Sequence, residues 1–197
     1  MRWLFRALRP AEVALTTLIG GVLGGLLTGR DAPVPSLTAG AMSPAPVVAM
    51  LALVPLIAVL RSLDSPPATL VALSTRPIGL YRATTTVTLG LITCAGAFAV
   101  AGPSASLEAV RNLSGLFGLA IIGWTTLGRG AALALPIVYI LASYLFGRTS
   151  PSTVAWWAWI IRDPHDATAA TLAATLAVLG LSVLTTLPRS DIRRAAD

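Results

Sequence analysis

The chain has 197 residues, 55% of them hydrophobic and only 11% charged, with 14 basic residues against 8 acidic ones. A soluble domain carries about 25% charge, so the composition excludes an ordinary water-soluble globule and points to a membrane-embedded chain. A nucleic-acid partner is set aside too: the basic excess, all of it Arg, is better accounted for by the collection of basic side chains on the cytoplasmic side of membrane spans.

The charges are bunched. Residues 32–60, 83–107, 112–128, 130–147 and 167–188 carry none. A bilayer core about 30 Å thick needs about 20 apolar helical residues to cross it. The runs also lack the alternation of a β-barrel. The sequence therefore predicts an all-α polytopic membrane fold with six transmembrane helices in a single domain over 1–197.

In chain order, "MRWLFRALRP" comes first. Arg2, Arg6 and Arg9 share one helical face, while Trp3, Leu4 and Leu8 lie away from it. Residues 1–10 read as an interfacial helix with its Arg side at the headgroups. Spans one and two follow within 11–60, at 11–29 and 40–60. Glu12 interrupts the first apolar run, and "GLLTGRDA" offers no small-x-small cleavage site, so a signal peptide is not expected. Gly20, Gly21, Gly24, Gly25 and Gly29 make small-xxx-small pairs for close helix approach. Pro44, Pro46 and Pro55 predict a kink in the second span.

The segment 61–83 carries Arg61, Asp64, Arg76 and Arg82. Ser65 can cap a helix, Pro66 suits its first turn and Pro77 stops it. The resulting Pro66–Thr75 helix is too short to stand alone in water. Leu70, Val71 and Leu73 need burial, against the membrane surface or in a groove on a cytoplasmic partner. Spans three to five fill 84–147, at 84–102, 111–127 and 131–147. Cys94 reads as a small buried apolar residue, and Glu108 as a carboxylate at a helix N-terminus. Gly128-Arg129-Gly130 is a tight turn that makes its flanking spans antiparallel neighbours.

The segment 148–167 is too short to span and predicts a short extracellular re-entrant or surface-lying helix. Trp156, Trp157 and Trp159 are placed at the membrane interface, and His165 reads as a solvated loop residue. Span six is 168–187, followed by a cytoplasmic tail at 188–197. In that span Thr171, Thr175, Ser182 and Thr186 share a face, with hydroxyls bonded to their own backbone.

With the N-terminus inside, Arg2, Arg6, Arg9, Arg61, Arg76, Arg82, Arg129, Arg189, Arg193 and Arg194 lie inside, and Arg30, Arg111, Arg148 and Arg162 outside. That bias puts both termini in the cytoplasm. Arg without Lys fits a GC-rich bacterial genome, and the expected location is the bacterial inner membrane. No ionisable group is expected deep within the bilayer. There is no G-x-x-x-x-G-K-[ST] phosphate loop, no metal-ligand cluster and no nucleophile–base pair, so the chain is not expected to be an enzyme.

The order of parts resembles the permease subunit of type 2 ATP-binding-cassette exporters. In that family the connector between spans two and three reads as an acidic residue, Gly-Thr-Leu-Glu, a Leu and a Pro. This chain has Asp64, Thr69-Leu70, Leu73 and Pro77 there, with Ala68 and Val71 in place of the family's Gly and Glu. The resemblance implies that Asp64, Thr69, Leu70, Leu73, Arg76 and Pro77 form a coupling helix docked on a separate cytoplasmic ATPase. That partner would hold ATP and Mg, so this chain itself needs no cofactor. It also implies a second permease chain, a path lined by spans one, two and five, and a hydrophobic or amphipathic cargo (a drug, lipid or peptide antibiotic) moved outward. The alternatives are a structural or assembly subunit of another membrane complex, or an ATP-independent carrier.

Overall fold

The computed structural model describes residues 10–64, 78–128, 130–150 and 152–186. The connector residues 65–77 and the N-terminal residues 1–9 lie outside it, and with them the expectations for Arg2, Trp3, Arg6, Arg9, Thr69, Leu70, Leu73, Arg76 and Pro77. The chain is mostly helical, with one small two-stranded sheet. Helix α1 is Pro10–Leu26. Strands β1 (Asp31–Ser36) and β2 (Ala41–Pro46) form a hairpin. Helices α2 (Val47–Leu51), α3 (Leu53–Asp64), α4 (Ile78–Leu127), α5 (Ala131–Phe146) and α6 (Ala167–Thr186) follow, with a 3-10 turn at Trp159–Ile161 before α6. Asp64 is thus the last residue of α3.

The first part of the expected second span is a strand rather than a helix, and proline accounts for it. The bonded pair formed when the Val47 N–H donates to Arg30 O (3.1 Å) fixes which rungs of the hairpin exchange hydrogen bonds. Ala32·Ala45, Val34·Ser43 and Ser36·Ala41 fall on that set. Pro33, Pro35, Pro44 and Pro46 all fall on the other, where an N–H would point away from the ladder. Alternate prolines therefore cost the hairpin no hydrogen bond, whereas in a helix each would remove one. The helix that follows breaks at Ala52, because Pro55 has no N–H to offer Leu51 O.

Among the described residues, Ala83–Leu127 and Ala167–Thr185 are the two helical stretches long and apolar enough to cross a membrane. The first, at 45 residues, would extend about 68 Å if straight, twice the thickness of a bilayer core. It is not straight. Gly102 has φ 79°, ψ −162°, a conformation open to glycine and costly for other residues. Residues equidistant from it, Cys94 with Val110 and Gly90 with Ser114, line one cavity. So α4 is a helical hairpin, with a first arm over 78–101 and a second over 103–127. The expected outside loop at 103–110 is therefore helix, since Pro103 suits a first helical turn, where it has no N–H in need of an acceptor.

Both arms are gripped at glycines. A Cβ on Gly21 of α1 would lie 2.1 Å from Thr93 O of the first arm, and one on Gly118 would lie 2.2 Å from Leu176 O of α6. Backbones this close bring many weak dispersion contacts into range. Helix α5 packs beside the second arm, as the tight turn at 128–130 predicts. Leu56 and Val59 of α3, Leu116 and Ile121 of α4, and Ile160 are fully buried. Large apolar side chains also cover the outside: Leu15, Ile19 and Leu26 on α1, Leu91 and Phe98 on α4, Val138 and Leu141 on α5, and Val178 and Leu179 on α6. Apolar exposure on this scale means a non-aqueous neighbour.

Residues 148–166 do not form the expected helical segment. They make a bridge between Arg148 and Val154, a bend, and the single 3-10 turn at Trp159–Ile161. The backbone is fixed instead by long-range bonds from helices beneath it.

Candidate functional site

Those bonds define a capped polar nest at one end of the bundle. Arg111, two turns into the second arm of α4, is only 4% exposed. Its Nη1 donates to Asp163 O at 2.6 Å and its Nε to Asn112 Oδ1 at 3.3 Å, with a longer reach of 3.5 Å from Nη2 to Ile160 O. Glu108, one turn earlier and also buried, lies close enough to Arg111 to interact electrostatically, as do Asp163 and Asp166. A buried cation with all these partners is held where an unpaired one would be prohibitive.

Glu108, expected at a helix N-terminus, lies instead in the second turn of the second arm of α4. The sequence did carry a signal: Glu108, Arg111 and Asn112 stand at i, i+3 and i+4, on one helical face.

The cap has two parts, and both are sewn to the end of α5. From the hairpin, Leu37 N donates to Leu145 O at 2.9 Å, and the Thr38 hydroxyl donates to Arg148 O. In return, the Tyr144 hydroxyl donates to Pro46 O (2.6 Å) and Arg148 Nη2 to Pro44 O (2.8 Å). From the 148–166 segment, Ala155 N donates to Gly147 O at 2.7 Å, and Tyr139 gives its hydroxyl proton to Trp157 O at 2.8 Å.

The three tryptophans divide. Trp156 is 68% exposed, as an interfacial ring would be, and Trp157 is half-buried. Trp159 departs from the interface expectation. It is 2% exposed and stacks on Tyr139 with ring centroids 5.1 Å apart. Its ring fills the space left by Gly115, where a Cβ would come within 2.4 Å of it.

The segment ends at an N-cap. Asp166 Oδ1 accepts from the backbone N–H groups of Thr168 (2.8 Å) and Ala169 (3.1 Å), and Oδ2 pairs with Arg162 Nη1 at 3.0 Å. The Thr168 side chain first, then the Ala169 N–H, hold its carboxyl below the usual aspartate range.

Two cavities lie below. One of about 20 Å³ sits between Gly20, Gly21 and Gly24 of α1, Thr93 and Asn112. It is large enough for one water, and the Asn112 Nδ2 beside it has no protein acceptor. The other, of about 220 Å³, is a groove between the two arms of α4 and α6, with Val59 of α3 at one edge.

On α6, the Thr171, Thr175 and Ser182 hydroxyls bond to their own backbone, as expected, but face outward rather than into a polar path. Among the described residues no group of three or more His, Cys, Asp or Glu is placed to hold a metal. Comparison with family models, curated proteins and solved structures finds no match to this chain.

Proposed function

We propose that the chain is a multi-pass protein of a bacterial inner membrane, acting as the permease subunit of an ATP-driven exporter. The observation that carries the membrane part is the outward apolar surface on α1, α4, α5 and α6. On this reading α1, α2 with α3, the two arms of α4, α5 and α6 are the six candidate crossings. Two flanking helices, α3 and the first arm of α4, are joined by the connector 65–77. The short helix that the sequence predicts there would be placed to receive a push from a cytoplasmic ATPase. A second permease chain would complete the transporter, and the largely apolar interior suits a hydrophobic or amphipathic cargo.

Co-purification of the tagged wild-type chain tests this directly. An ATPase should come down with it. Leu70→Asp and Leu73→Asp should lose the ATPase while keeping membrane insertion. Full ATPase retention in both variants defeats the coupling role.

A second reading, the ATP-independent carrier, gains from one observation. Ionisable residues inside a bundle commonly mark transport pathways, and Glu108 and Arg111 are such residues. Against it, Arg111 is committed to backbone carbonyls of the cap. Uptake or efflux by the chain reconstituted alone, and abolished in Glu108→Gln, would favour the carrier.

A further inference from the structure

We propose that the groove between the arms of α4 and helix α6 holds one acyl chain of a membrane phospholipid. The inference rests on the membrane part of the reading above and is independent of the ATPase.

The lining has nothing to offer a polar ligand. Its only hydroxyls belong to Thr86 and Ser114. Ser114 Oγ donates to Arg111 O at 3.1 Å, and Thr86 is engaged as well. The groove opens sideways. Leu113 and Phe117 are buried at its floor, whereas Val87, Leu91 and Val110 are exposed at its mouth, midway along the two arms. That mouth is continuous with the outward apolar surface.

Its width is owed to Gly90, where an added Cβ would meet nothing within 4 Å. About 220 Å³ falls below the roughly 300–1,000 Å³ of pockets for drug-sized ligands, and a helix about 10 Å across does not enter it. A slender alkyl chain does. Lipid tails are the apolar matter that would surround such a mouth in a bilayer. The site is also distinct from the path through spans one, two and five that the resemblance implies.

The test places the wild-type chain in phosphatidylethanolamine–phosphatidylglycerol nanodiscs doped with a phospholipid bearing a diazirine at one acyl terminus. After photolysis, adducts are mapped by mass spectrometry. Labelling should be several-fold denser on residues 86–94 and 110–117 than on the outward faces of α1 and α5. Gly90→Leu, which fills the groove without a backbone clash, should abolish that excess and leave α1 and α5 unchanged.

Even labelling around the wild-type bundle overturns the proposal, as does an excess that survives in Gly90→Leu. Should Gly90→Leu fail to fold, the wild-type distribution alone decides. A parallel arm uses a headgroup-free alkyl diazirine: labelling of the groove by that probe but not by the phospholipid overturns the lipid as occupant. No labelling anywhere on the chain would overturn the membrane reading as well, so the two failures are distinguishable.

Discussion

At the residue scale, Arg111 and Asp166 hold the same segment by different physics. Arg111 is buried and charged, and its guanidinium donates to carbonyl oxygens of the segment that covers it. Removing one partner of such a buried arrangement costs about 3–5 kcal/mol. Arg111→Met should therefore lower the thermal midpoint in detergent sharply. Arg111→Lys should recover only part of the loss, since one ammonium does not reproduce a planar fork.

Asp166 is a surface cap, and its effect is tied to pH. Its carboxyl is held below the usual range by the folded state. The stabilisation is complete above the unfolded aspartate pKa and fades as pH falls through the lower folded value. Wild type should thus exceed Asp166→Asn in thermal midpoint at neutral pH, with the gap closing in acid; a gap unchanged down to the acid limit would discount the charge. The cap could be read from sequence, as Asp before an apolar helix. The nest was legible only in part: Glu108, Arg111 and Asn112 share a helical face, but nothing in the sequence shows the folded-back segment that covers them.

At the scale of elements, the glycines and prolines decide the geometry. The charge-free runs located α1, α5 and α6 within a few residues, because hydrophobic length is a one-dimensional signal; they also found both arms of α4, whose starts at 78 and 103 lie well ahead of the expected 84 and 111. The hairpin at 31–46 escaped because its prolines suggested a kinked span. Their two-residue spacing is a strand signature only when the partner strand's register is known. The glycines were legible as packing residues, though not which helix each one meets.

Gly118 and Gly90 make a paired prediction. A Cβ at 118 collides with the α6 backbone at 2.2 Å, while one at 90 meets nothing. Gly118→Val should prevent α6 from docking and cost well over the roughly 1–3 kcal/mol of ordinary overpacking. Gly90→Ala should be tolerated and, by helix propensity, add about 1 kcal/mol at most. Thermal midpoints of the two variants in one detergent check both, and equal destabilisation would mean that α4 and α6 do not cross at Gly118.

At the scale of the whole molecule, α5 acts as a ruler. Its 16 residues rise about 24 Å, with the Gly128–Gly130 turn at one end and both parts of the cap sewn to the other. Thr38 in the hairpin and Ser152 in the 148–166 segment are exposed at the capped end, and Gly130 is exposed at the opposite end. If the bundle crosses a bilayer, these positions must fall on opposite faces, and the Arg bias puts the cap outside. In a Cys94→Ala background, Thr38→Cys and Ser152→Cys should react in intact cells with a thiol reagent that cannot cross the membrane. Gly130→Cys should react only after permeabilisation. The three positions depend on different loops but one helix, so their agreement tests the crossing of α5 and the docking of both cap segments together. Labelling of Thr38→Cys and Gly130→Cys from the same face would deny α5 its crossing. A split between Thr38→Cys and Ser152→Cys would instead separate the hairpin from the segment it is bonded to, which the Leu37–Leu145 and Ala155–Gly147 bonds at one helix end do not permit.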